Sequence, residues 1–156
     1  MGISGIRTGL CAGPLFLAAA IGIGGARAAP PPSCARALAA FDKAVTTDIK
    51  KETVSSFYAV TEEPGCTSSV IDDARARLVD FLIGYAKAQP GEAADTIKLA
   101  ERTVDASGNW RAKGKIADYY FDHRSDRDMP GALANSYLWY QKSVADFGTA
   151  DPRPTD

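Results

Sequence analysis

The chain has 156 residues, 46% of them hydrophobic, with 18 Lys or Arg against 19 Asp or Glu and a net charge of −1. That is a length suited to one domain, and so even a charge balance gives no electrostatic reason to bind nucleic acid or an anionic membrane. One His and three Cys, scattered along the chain, exclude a zinc site of ordinary spacing.

Met1–Thr8 carries one cation, Arg7, and Leu10–Ile23 is almost wholly apolar before Gly24-Gly25-Ala26-Arg27-Ala28. This is the layout of a secretory signal peptide with small residues at Ala26 and Ala28. It predicts cleavage near Ala28 and a periplasmic or secreted address. The apolar run is shorter than the ~20 residues of a spanning helix and contains Pro14, so no stable membrane insertion is expected after removal. Loss of residues 1–28 takes Arg7 and Arg27, leaving 128 residues, 16 cations, 19 acids and a net charge of −3. Cys11 leaves with them. Cys34 and Cys66 remain, an even count in an oxidising compartment, and are expected to form a disulfide.

Pro30-Pro31-Pro32 reads as an extended leader and Ser33 as a cap. Cys34, Leu38, Phe41, Val45 and Ile49 recur at steps of four and three, one face of a helix. Val54, Phe57 and Tyr58 suggest a short second helix, ended by Pro64-Gly65. Ser69 and Asp72 resemble a capping box ahead of the clearest amphipathic stripe, Ile71, Ala74, Leu78, Phe81, Leu82 and Tyr85. Gln89-Pro90-Gly91 stops that third helix. Ala93, Ile97, Ala100 and Val104 mark a fourth, with Gly108 placed for a left-handed cap.

Asn109 is positioned to cap a fifth helix whose inner face reads Trp110, Gly114, Ala117 and Phe121. After a polar loop, Pro130 suits the first turn of a sixth, with Leu133, Tyr137, Tyr140, Val144 and Phe147 inward and Gly148 past its end. No stretch combines strand alternation with turn chemistry. The expectation is an all-α domain of five to six helices over residues 33–148, stacked as hairpins, with a flexible tail at 149–156. In such an up-down chain the first and third helices begin at one end, so a Cys34–Cys66 bridge would staple neighbouring hairpins at one rim.

The fourth and sixth helices match at an offset of 40: Thr96 with Ser136, Ile97 with Tyr137, Leu99 with Trp139, Thr103 with Ser143 and Val104 with Val144. The helices before them agree at an offset near 39, Phe81 with Tyr120 and Leu82 with Phe121 among the pairs. A two-helix unit repeating at this period is the signature of a helical solenoid. The run from Ala134 through Trp139-Tyr140-Gln141-Lys142-Ser143-Val144 to Gly148 resembles the second helix of a Sel-type tetratricopeptide repeat. Trp110 and Gly114 stand at the spacing of the first helix of ordinary tetratricopeptide repeats. The resemblance covers Trp110 to Gly148 best. It implies a non-catalytic scaffold whose hairpins bind a protein or peptide.

Eight aromatic residues fall between Trp110 and Phe147. Successive helical residues are about 100° apart, so Tyr119, Tyr120 and Phe121 cannot all face one core, nor can Tyr137 and Trp139. Tyr119 and Trp139 are the least core-like on this reasoning. With Tyr137 and Trp110 they make the expected partner-binding set.

Asp122, His123, Asp126 and Asp128 form the one polar cluster able to carry chemistry, but their spacing is not that of a calcium loop. There is no G-x-S-x-G, and Ser125 lies too near His123 for a triad. No catalytic residue, cofactor or metal is expected. The chain is expected to be an exported module that binds another protein or peptide, with homo-oligomerisation left open. The alternative is an inhibitor or immunity protein that blocks a cell-wall-directed toxin or hydrolase, its acidic surplus mimicking a substrate.

Overall fold

A computed structural model describes residues 29–150, apart from the side chains of 149 and 150. The expected signal peptide at 1–28 and residues 151–156 of the expected tail lie outside the described residues. Six α-helices run in order: α1 (Pro32–Thr47), α2 (Lys50–Glu62), α3 (Ser68–Ala88), α4 (Ala93–Val104), α5 (Trp110–Asp122) and α6 (Ala132–Ala150). A single 3-10 turn, Pro90–Glu92, joins α3 to α4, and no strand occurs among the described residues. The fold is all-α. None of these helices is long and apolar enough to cross a membrane.

Local chemistry explains most of the helix ends. Pro32 opens α1 in its first turn, where a missing N–H removes no intrahelical bond. Asp48 ends α1 in the left-handed conformation at φ 58°, so α2 follows almost at once. Thr53 then donates its hydroxyl back to the Ala44 carbonyl at 3.0 Å, which lets a fully buried threonine close the α1–α2 hairpin. Asn109 caps α5 as expected, accepting from the Ala112 amide at 3.0 Å. Its amide group also donates to the Asp72 carbonyl at 2.7 Å and so ties the start of α5 to α3.

Other boundaries differ from the sequence pattern. Thr67, not Ser69, caps α3, accepting from the Val70 amide, while Asp72 pairs with Arg75 on the same helix. Gly131 takes the left-handed turn at φ 86°, and Gly108 does not. The turn at Gly131 carries α6's start past Pro130 to Ala132. At its other end α6 continues through Gly148 to Ala150, two residues into the expected tail.

The most extensive contacts join consecutive helices, α5 to α6, α3 to α4 and α1 to α2. α3 also packs on α2 and α5, α4 packs on α5, and α1 touches α3 more slightly. One core runs through these contacts, with Phe41, Leu78, Leu82, Val104 and Ile116 almost fully buried. Phe41 meets Phe57 across the first hairpin at a ring separation of 6.1 Å.

Cys34 in the first turn of α1 is bonded to Cys66 just before α3, with their Cα atoms 5.1 Å apart. The bridge spans 32 residues and pins the start of the first hairpin to the start of the second. In the chain-entropy account a loop of that length stabilises the fold by about 3 to 4 kcal/mol. A Cys34→Ser/Cys66→Ser variant should therefore unfold at clearly lower urea concentration than the oxidised protein. Far-UV circular dichroism against urea checks this.

Candidate interaction surface

The last two helices lie close together because both faces at their contact are made of small residues. α5 offers Ala112, Gly114 and Ala117; α6 offers Ala132, Ser136 and Ser143. A β-carbon added at Gly114 would sit 3.5 Å from the Ser143 hydroxyl, in ordinary van der Waals contact, which places these two small residues opposite each other. Ser143 spends its hydroxyl on the Trp110 carbonyl at 2.8 Å. Two groups flank the seam and fix the roll of α6 about its axis. Lys113, 6% exposed at its side chain, pairs with Asp146 at 2.6 Å. On the other side the Trp139 indole N–H donates to Glu101 of α4 at 2.9 Å, and the Tyr120 hydroxyl donates to the same carboxylate oxygen at 3.0 Å. Burial, followed by the charge of Glu101, pushes the Tyr120 hydroxyl well above the ordinary tyrosine range, so it remains a donor to that oxygen.

This roll reverses the expected orientation of α6. Leu133, Tyr137, Tyr140, Val144 and Phe147 were expected to face the core; they are 59%, 66%, 39%, 69% and 42% exposed. Trp139, expected to look outward, is buried at 4%. On α5 the same inversion appears on a smaller scale: Phe121 turns out to solvent while Tyr119 is buried against Tyr120 and the His123 ring. Of the four residues expected to bind a partner, Tyr119 and Trp139 are therefore core residues. Trp110 is half-buried, its ring edge-on to Phe147 at 5.0 Å. Only Tyr137 stands fully on the surface, and Leu133 and Val144 join it there. One clue in the sequence was the small-residue stripe Ala132, Ser136 and Ser143, which meets Gly114 and Ala117 of α5.

The outward face of α6 carries no unpaired charge. From Ala132 to Gly148 the only ionisable acid and base are Asp146 and Lys142. Asp146 faces α5, and Lys142 reaches back to Asp105 at the end of α4 with its ammonium 4.4 Å from the centre of the Trp139 ring. That lysine holds the Asp105 carboxyl below the usual carboxylate range. The Tyr140 hydroxyl is bonded to Asp118 of α5 and is raised to about 12 by that bond, so its ring lies along the rim of the stripe. What remains between the rims is Leu133, Tyr137, Val144 and Phe147 with Gln141 among them.

The exposed stripe has a buried counterpart one repeat earlier. At the offset of 40, Ala93, Ile97, Ala100 and Val104 of α4 fall on Leu133, Tyr137, Tyr140 and Val144 of α6. In α4 Ile97, Ala100 and Val104 are no more than 2% exposed, in the core shared with the neighbouring helices, α5 among them. Among the described residues no helix follows α6.

The polar cluster near the end of α5 is divided between pairing and a cavity wall. Asp122 faces Lys87 at 3.5 Å, while His123 donates its Nδ1–H to the Tyr119 carbonyl at 2.7 Å. His123, Asp126 and Asp128 line an open cavity of about 460 Å³ with Lys87, Tyr119 and Arg127. No group of three or more His, Cys, Asp or Glu among the described residues is disposed to hold a metal ion. Comparison with protein-family models, with curated proteins and with solved structures gives no match.

Three variants test the anchors of the roll. Glu101→Ala should cost about 1 to 3 kcal/mol, because it leaves the Tyr120 hydroxyl and the Trp139 indole without their acceptor. Asp146→Ala should cost about 3 to 5 kcal/mol by stranding a buried lysine, whereas Lys113→Met/Asp146→Leu should be far milder. Chemical denaturation of the three proteins beside wild type reads both differences.

Proposed function

We propose that the protein is a non-catalytic binding module, exported from the cytoplasm, that takes up another polypeptide along the outward face of α6. The observation that carries this reading is an uncharged stripe of large apolar side chains left in solvent. Scattered exposed apolar residues are ordinary, but a contiguous patch of this size marks an interaction site. The rings of Tyr137, Tyr140 and Phe147 are of the kind that dominates binding energy at interfaces. The spacing of Leu133, Tyr137, Tyr140, Val144 and Phe147 alternates between four and three, which suits a helix lying in parallel or antiparallel alignment with α6.

The resemblance to Sel-type tetratricopeptide repeats supports the same reading. Each consecutive helix pair makes a broad contact, and the first helix of the next pair touches both members of the pair before it. In stacked hairpins of this kind an end of the stack needs a polar cap or a partner. Among the described residues nothing polar caps the α6 face. The Cys34–Cys66 disulfide and the signal-like N-terminal segment support an address outside the cytoplasm.

Affinity capture from periplasmic extract tests the reading with three proteins, wild type, Val144→Glu and Tyr137→Glu. Both substitutions replace exposed side chains and should change stability by less than about 0.5 kcal/mol. The expected result is a polypeptide retained in stoichiometric amount by wild type and reduced at least tenfold by each variant, then confirmed by titration of the purified pair. Retention that both variants leave unchanged would overturn the assignment to α6, and a wild-type eluate holding neither a foreign polypeptide nor untagged copies of the chain would count against the module itself.

A further inference from the structure

We infer that the polypeptide seated on α6 is a second copy of the same chain, paired α6 to α6 across the open end of the stack. This rests on the reading of α6 as a docking face and names its occupant. A partner for this face must bring a helix with an apolar stripe at alternating four and three spacing and no charge to bury. α6 itself has that chemistry. Its two charged groups are turned away, Lys142 to Asp105 and Asp146 to Lys113, so two copies can meet with no like charges opposed.

Size supports the same occupant. Aromatic side chains present about 150 to 250 Å² each, so the exposed fractions of Tyr137, Tyr140 and Phe147 with Leu133 and Val144 sum to roughly 500 Å² per copy. Two such faces with the Gln141 side chains between the rings bury about 1,000 to 1,200 Å² in total, the lower end of the range for a specific interface. A two-fold axis through the middle of α6 uses one patch twice and closes the assembly at two copies. It also covers the face that the equivalent residues of α4 bury against their neighbours, so neither copy is left with an apolar end.

Sedimentation equilibrium of the purified protein from micromolar to sub-millimolar concentration tests the pairing. Wild type should reach twice the chain mass. Val144→Glu and Tyr137→Glu should stay at the chain mass over the same range, with unchanged circular dichroism and a melting temperature that no longer rises with protein concentration. Gln141→Cys, at the centre of the stripe, should form an intermolecular disulfide on mild oxidation, since Cys34 and Cys66 are already bonded to each other. Wild type at the chain mass throughout would overturn the second copy as occupant, and so would a dimer indifferent to both glutamates. If wild type is monomeric while Val144→Glu still loses a captured client, the docking face stands and its occupant is a foreign helix. If neither mass nor capture responds, the docking face falls as well.

Discussion

The close approach of α5 and α6 is the constraint on which the rest depends. Glycine and alanine on one helix and serine and alanine on the other are the small residues buried where the two helices meet. The Lys113–Asp146 pair and the shared carboxylate of Glu101 then lock the roll from both sides. A buried ion pair adds little net stability by itself, but the loss of either partner is costly, so such a pair specifies one arrangement against others. The same reasoning applies to Glu101, which satisfies one donor from α5 and one from α6 with a single oxygen.

The outward stripe is the consequence of that choice. Among the described residues α6 is the last helix, and its broad contact is with α5. In α4 the positions equivalent to the stripe are covered; in α6 they are left open. Covering roughly 500 Å² of apolar surface is worth on the order of 12 kcal/mol by area alone, most of which the loss of translational and side-chain freedom takes back on association. On the proposed reading, apolar rings without charges suit a helix of similar composition better than an acidic or basic peptide.

Much of the fold was legible in the sequence. The all-α class, the breaks at Pro64-Gly65 and Pro90-Gly91, the Asn109 cap, the inner stripes of α3 and α4 and the Cys34–Cys66 pairing all follow from local rules that the structure obeys. The orientation of α6 did not follow. Periodicity identifies an apolar face and assumes that it is turned to the core, an assumption that holds for α4, which has neighbours on both sides. It fails for α6, where small residues are buried toward α5 and Leu133, Tyr137 and Val144 are left in solvent, with Phe147 and Tyr140 touching α5 only at the rims. Counting rings per face showed correctly that Tyr137 and Trp139 point in different directions, but ring count alone could not say which of them was inside. Charge could: Lys142 and Asp146 follow Trp139 by one and two turns on its side of the helix, and find opposite charges at the end of α4 and on α5.

The most direct measurement is a nuclear Overhauser spectrum of the isotope-labelled protein, read along α6. The account predicts contacts from Ala132, Ser136 and Ser143 to Ala112, Gly114 and Ala117, with the Trp139 indole proton close to the Tyr120 ring and slow to exchange with solvent. It predicts none between the Val144 methyl groups and Ile116 or Ala117. Strong Val144 contacts to those α5 residues, with a rapidly exchanging Trp139 indole, would mean that α6 sits with its apolar stripe inward, and the docking face would not exist.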